Sequence, residues 1–144
     1  MLEVKKYTVE GMLKEKGYYV YTSVGVSMMP FLRERRDIIE IRPNNERIRK
    51  YQVALYKKSG LYILHRCISV TPDGYVFAGD HNCLKEYDVK DDMILGVMTR
   101  VIRDGKPLDL NGIRYKLYCF FIVNLYPLKC FALWLLRKMK AIIT

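Results

Sequence analysis

Residues whose types suit chemistry begin with Ser27, set in Gly25-Val26-Ser27-Met28-Met29-Pro30 after a stretch rich in Tyr and Val. Pro30 constrains the backbone there and Gly25 permits another chain to approach closely. A serine in such a turn exposes its hydroxyl and can aim its own N–H at a carbonyl, but a hydroxyl is a weak nucleophile until a base takes its proton. His65 is a candidate base, in Ile63-Leu64-His65-Arg66-Cys67-Ile68. Strand alternation puts it on one face with Ile63 and Cys67, a position that a plain core strand fills with an apolar side chain. A third group is Asp80, in Gly79-Asp80-His81-Asn82, a carboxylate of the kind that orients an imidazole and stabilises its cation. Each residue taken alone has a plainer reading: a turn serine, a satisfied core histidine, an Asx-turn aspartate.

The elements that must position these groups read mostly as short strands. Residues 8–16 predict a short helix, with Thr8 as its N-cap and Gly17 as its stop. Strands are expected over 18–26, 37–41, 52–58, 61–70, 75–79 and 93–105. Ser59-Gly60 closes a hairpin, Thr71-Pro72-Asp73-Gly74 is a strong turn, and Asp104-Gly105 ends the last strand. Short strands at this spacing indicate a mainly β fold, a coiled antiparallel sheet or partial barrel. The expected organisation is a helical lead-in at 1–16, a β domain at 17–106, and a linker with an apolar, basic tail at 107–144.

The chain has 144 residues, 51% of them hydrophobic and 28% charged. It is therefore of one-domain size and able to bury a core, which excludes collagen-like and disordered classes. Its formal net charge of +10 favours an anionic neighbour. Residues 33–58 concentrate the cations, with Arg33, Arg35, Arg36, Arg42, Arg47, Arg49, Lys50, Lys57 and Lys58; a solvated loop face and a membrane-facing patch both account for them. No helix-turn-helix, RNP or finger pattern is present, so nucleic acid is not an expected partner. Cys67, Cys83, Cys119 and Cys130 lack C-x-x-C spacing, so neither zinc nor any other cofactor is expected and reduced thiols are the default. The first residues alternate Lys and Glu without an apolar segment, so no secretory leader is expected.

In order and spacing, these segments resemble the type I signal peptidase superfamily of serine peptidases, which includes the LexA-type self-cleaving repressors. Ser27-Met28-Met29-Pro30-Phe31-Leu32 looks like the family's nucleophile box, Ser-Met-x-Pro-Thr-Leu. Arg36-Asp37-Ile38-Ile39 stands where the family has Gly-Asp-Val-Val, and Val53-Ala54-Leu55-Tyr56 where a second such strand begins. Leu64-His65-Arg66-Cys67-Ile68 is similar to the His-Arg-Val-Ile box of the archaeal and endoplasmic-reticulum branch, in which histidine replaces a lysine base. Gly79-Asp80-His81-Asn82 is similar to the Gly-Asp-Asn-Asn box and Ile94-Leu95-Gly96-Val97 to the closing strand. The resemblance covers about residues 20–104.

The resemblance implies a serine endopeptidase that cuts a signal or leader peptide through an acyl-enzyme. Ser27 is then the nucleophile, His65 the base and Asp80 its orienting carboxylate, with Glu86 or Asp88 as a second acid. His81 is the rival imidazole, disfavoured because it lies in the loop box. Gly25, Val26, Met28 and Met29 become the oxyanion and substrate wall, and the peptide lies extended beside the strand leading to Ser27. Independently, an imidazole with an ordinary pKa near ~6.5 can accept a proton at neutral pH without the burial that a lysine base needs. The chain departs from the family where Gly25 replaces a hydroxyl that helps hold the oxyanion and where Arg36 replaces a glycine. Two further departures are expected: no membrane anchor before Ser27, and an apolar segment after the catalytic region instead. The competing reading is a catalytically inactive peptide-binding module or a membrane-tethered scaffold.

That apolar segment, residues 117–136, carries Lys129 as its one charge and is followed by Arg137-Lys138-Met139-Lys140. It has the length of a bilayer span, yet a central lysine costs roughly 2.5–3.5 kcal/mol on insertion scales. A span, an interfacial anchor of two amphipathic helices broken at Pro127, and a packed helix remain three readings. Membrane association is expected, on the cytoplasmic face if the tail is interfacial.

Overall fold

A computed structural model of the chain describes residues 7–144; residues 1–6 of the expected lead-in lie outside the described residues. Helix α1 (Val9–Lys16) begins where the Thr8 hydroxyl accepts the Gly11 N–H at 3.1 Å. It ends at Gly17, whose φ of 76° is left-handed and whose N–H returns to the Leu13 carbonyl. The strands are β1 (Tyr19–Thr22), β2 (Ile38–Arg42), β3 (Val53–Lys58), β4 (Leu61–Thr71), β5 (Gly74–Ala78), β6 (Lys85–Val89), β7 (Ile94–Arg103) and β8 (Lys106–Pro107). They form one antiparallel sheet in the order β1-β2-β7-β3-β4-β5-β6, with β8 added to β7. The sheet is strongly curled into a half-barrel, and the fold is mainly β. Register shifts at Glu40/Ile41, Leu55/Tyr56, Cys67/Ser69 and Tyr75/Phe77 are the kind of irregularity that sharpens twist and bends a sheet on itself.

Turn chemistry sets the hairpins. Ser59 and Gly60 both have positive φ (53° and 77°), as do Asp104 and Gly105 (50° and 78°); paired left-handed residues match the twist of the strands they join. Two differences from the sequence expectation stand out. The strand expected over 18–26 stops at Thr22, because Ser23 leaves the sheet to bond the Asp37 carbonyl and the Arg35 N–H. β6 was not expected: Lys85-Glu86-Tyr87-Asp88-Val89 is mostly charged, which suits its place at the sheet edge.

Alternation along β3 divides the core. Val53 and Leu55 join Ile39, Ile41, Val101, Leu32 and Leu13 on one face. Ala54 and Tyr56 join Cys67, Tyr75, Phe77 and Val89 on the other. Helix α2 (Ile113–Asn124) is laid against the first of these through Tyr115 and Tyr118. Beneath it lies Arg66, fully buried, with its Nε and one terminal nitrogen each 2.8 Å from an oxygen of Asp80. The other terminal nitrogen donates to the Tyr51 carbonyl and the Tyr115 hydroxyl at 2.9 and 3.0 Å, and Tyr118 donates to Asp80 at 2.9 Å.

The tail is two helices, α2 and α3 (Tyr126–Ile143), bent by 72°. The break falls at Leu125, and Pro127 sits in the first turn of α3, where its missing N–H costs nothing. Among the described residues no single helix is long and apolar enough to cross a membrane. The basic segment at 33–58 is largely paired: Arg33, Arg42, Arg47, Lys57 and Lys58 each lie within 4.0 Å of a carboxylate.

Because Arg66 and Asp80 are both out of water, removing one partner leaves the other charged and unsolvated. Arg66→Met is expected to lower unfolding stability by about 3–5 kcal/mol in urea titrations. Arg66→Met with Asp80→Leu is expected to regain most of that loss, and equal losses in the two variants would contradict the pairing energetics.

Candidate active site

Ser27 follows β1 in a tight turn held at both ends. Gly25 has φ of 84° with open space where a Cβ would stand, so backbone conformation selects glycine there. The Met29–Pro30 peptide is cis. Asp37, fully buried at the start of β2, takes the Arg33 N–H at 2.9 Å and the side chains of Arg33 and Arg103, tying the turn after Ser27 to the end of β7. The left-handed residue in that turn is Arg35 (φ 57°), not Arg36, the position at which the family has glycine.

The second support of Ser27 is the loop after β5. His81 N–H donates to the Ser27 carbonyl at 2.9 Å, and a Cβ on Gly79 would come within 2.5 Å of that same oxygen. Gly79 is therefore glycine because the Ser27 turn presses on it. Among the described residues the Ser27 N–H donates to no turn carbonyl, and the Gly25 N–H is taken by Glu34 at 3.3 Å.

His65 lies mid-β4, opposite Ala54 and on the face that carries Ile63 and Cys67. It and Ser27 open on one cleft of about 490 Å³, with Tyr19, Tyr21, Met28 and Leu64 among its walls. Nδ1 of His65 is 3.3 Å from the Tyr56 hydroxyl. That contact occupies Nδ1, and among the described residues no hydrogen bond joins His65 to Ser27, so Nε2 is the ring nitrogen left unengaged. Nε2 carries the lone pair a base needs when Nδ1 holds the proton and donates it to Tyr56. Burial pulls the imidazole below its ordinary pKa, opposed by the negative charge of Glu86 and Asp80.

The remaining expected site residues separate. Asp80 is 2% exposed with both oxygens engaged by Arg66 and Tyr118, so the contact expected between its carboxylate and His65 is replaced by a pairing on the other side of the strand. The reason is alternation: Arg66 follows His65 and points to the opposite face, where its buried guanidinium takes the counter-charge. Asp80 reaches His65 only through its field. Glu86, on β6, bonds Lys58 at 3.0 Å and also acts on His65 by charge; Asp88 is exposed with φ of 58°. Met28 is buried and lines the cleft, whereas Val26 and Met29 are exposed and do not.

Sequence reasoning missed Tyr56 and Ser23. Tyr56 looks like one more apolar strand residue, and only the pairing of β3 with β4 brings it to His65. Ser23 is buried and also lines the cleft, four residues before Ser27. No family model and no curated protein matches the chain.

The direction of the His65 shift makes a testable statement. A histidine whose folded pKa is depressed contributes full stability above the unfolded value near ~6.5, and that stability is lost as pH falls below it through the lower folded pKa. A nuclear magnetic resonance titration should place the His65 midpoint below ~6.5, and Tyr56→Phe should mix the neutral tautomers, read from the ring nitrogen shifts. A higher midpoint, or an unchanged tautomer ratio, would contradict the burial and the Tyr56 contact.

Proposed function

We propose that the chain is a serine endopeptidase of the signal-peptidase type, with Ser27 as nucleophile and His65 as general base. The observation that carries this reading is that both side chains open on one cleft flanked by free strand edges. β1 is the end strand of the sheet, and β4 pairs with β5 only from Arg66 onward, so one side of residues 61–65 carries no partner strand. An extended peptide laid between them gains main-chain hydrogen bonds from either side, the usual logic of strand addition. The stacked rings of Tyr19 and Tyr21 supply an apolar wall for its side chains.

In the proposed reaction His65 Nε2 takes the Ser27 proton as Oγ bonds to the scissile carbonyl carbon. The C–N bond then breaks, the imidazolium returns the proton to the leaving amine, and an ester remains on Ser27. Water activated by the same imidazole hydrolyses that ester. The Ser27 N–H is the oxyanion donor this chain offers in place of the hydroxyl lost at Gly25. Tyr56 takes the orienting role that the family resemblance assigns to Asp80, and Asp80 holds the loop behind Ser27. The curled β half-barrel is the coarse architecture that the resemblance implies, and it supports this reading to that extent.

Membrane association belongs to the same proposal. Leu117, Phe120, Phe121, Leu128, Phe131, Trp134, Leu136 and Met139 are all exposed on the tail helices, beside Arg137, Lys138 and Lys140. Apolar area next to cations is the two-signal arrangement that interfacial anchoring requires. The side of the membrane stays with the earlier expectation, the cytoplasmic face for an interfacial tail.

A second reading, a non-catalytic peptide-binding module, is favoured by the Gly25 N–H being tied to Glu34 and so withdrawn from an oxyanion. A serine-reactive phosphonate separates the two: an enzyme is labelled at Ser27, and Ser27→Ala and His65→Ala each lose labelling and peptide cleavage by at least about 10³-fold with the fold retained. Equal labelling of wild type and Ser27→Ala would leave the binding module. For the tail, Trp134 is the single tryptophan, so its emission reports directly. Vesicles containing anionic lipid should shift it to the blue and sediment the protein, less so at high salt, whereas an unshifted emission would remove the membrane from the proposal.

A further inference from the structure

The first turn of α3 is fastened to the loop behind Ser27. Lys129 Nζ donates to the carbonyls of Asp80 and Asn82, each at 2.9 Å. The Tyr126 ring lies against both Lys129 Nζ, 4.3 Å from its centroid, and Lys85 Nζ, at 5.1 Å. The residues that directly follow Asn82 and Lys129 are Cys83 and Cys130. The Cys130 thiol has Cys83 and Tyr126 as neighbours close enough to act on its ionisation, while the buried Tyr126 hydroxyl makes no hydrogen bond among the described residues. Cys83 is exposed and Cys130 is half-buried, whereas Cys67 and Cys119 are buried. Cys119 lies against the Arg66 guanidinium, and burial pushes the Cys67 thiol up to about 11. The chain therefore has two accessible, adjacent thiols and two occluded ones.

We infer that Cys83 and Cys130 form a redox-active pair whose intramolecular disulfide latches α3 onto the 79–83 loop. The oxidant is a small-molecule disulfide such as oxidised glutathione. The exposed Cys83 thiolate attacks it, forming a mixed disulfide and releasing one reduced thiol. The Cys130 thiolate then attacks the Cys83 sulfur, releasing the second. The protein loses two hydrogens and the oxidant is reduced to two thiols. Burial and the neighbouring Cys83 thiol push the Cys130 thiol up, opposed by the Lys129 charge, so the exposed Cys83 is the attacking thiol and Cys130 the resolving one. The latch bears on Ser27 because the same loop supplies the His81 N–H that holds the Ser27 carbonyl. The inference rests on the packing of α3 and is independent of whether Ser27 cuts peptides.

The test uses the full chain, reduced and then treated with oxidised glutathione. Intact mass should fall by two hydrogens, and a non-reducing digest should yield one cross-linked product joining the Cys83 and Cys130 peptides in a monomer. Amide exchange in the first turn of α3 should slow by about tenfold or more on oxidation. In Cys130→Ser the reaction should stop at glutathione on Cys83. A stable mixed disulfide in the wild type, a link between two chains, a link to Cys67 or Cys119, or unchanged amide exchange would each overturn the latch.

Discussion

The buried Arg66–Asp80 pair is the interaction on which the rest of the arrangement depends. Neither group has access to water, so each requires the other, and the remaining guanidinium donors are met by the Tyr51 carbonyl and the Tyr115 hydroxyl. Four segments distant in sequence are drawn to one point: β4 through Arg66, the loop after β5 through Asp80, the stretch before β3 through Tyr51, and α2 through Tyr115 and Tyr118. Two well-packed apolar residues would satisfy burial equally well but would not fix orientation. The bidentate geometry of an arginine with a carboxylate sets both position and angle. This loop angle matters because Gly79 and His81 are the residues that touch Ser27.

One strand thereby serves two environments. His65 and Arg66 are adjacent on β4 and point to opposite faces, the first toward Tyr56 and the cleft, the second toward α2. Keeping the guanidinium away from the imidazole has an electrostatic consequence, since a cation on the same face would add to the burial that already depresses His65. Placing Asp80 on the Arg66 side spends its charge on that partner while leaving a residual field at His65. A neutral hydroxyl partner sets the imidazole tautomer less firmly than a carboxylate would, because it places no full charge against the Nδ1 proton.

The hairpin turns, α1 with both caps, and the β-rich class were legible because each is encoded by neighbouring residues. Ser59-Gly60 and Asp104-Gly105 need only their own backbone preferences, and Thr8 and Gly17 act within one turn of helix. Motif order singles out Ser27 and His65 together, and the structure places both on the lining of one cleft. The partners of His65 were not. Whether Tyr56 or Asp80 meets the imidazole depends on the pairing of β3 with β4 and on which face the guanidinium takes, and neither is local. β6 escaped notice because an edge strand buries little and so lacks apolar alternation. The break in the tail was placed at Pro127, but proline is accommodated in the first turn of a helix, and the chain bends two residues earlier.

The tail brings together two demands that one uniformly apolar helix could not meet. α2 turns Cys119 and Val123 toward the sheet and leaves Leu117, Phe120 and Phe121 outside, while α3 buries only Tyr126. The lysine that makes a spanning segment costly is the residue whose ammonium reaches two backbone carbonyls behind Ser27. Burial lowers the pKa of Lys129, and the two carbonyls replace water as acceptors for its buried ammonium. Detaching α3 would expose that cation to solvent and release the loop at the same time. The same hydrogen bonds that spoil the segment as a span therefore make its docking a determinant of how the candidate nucleophile is held.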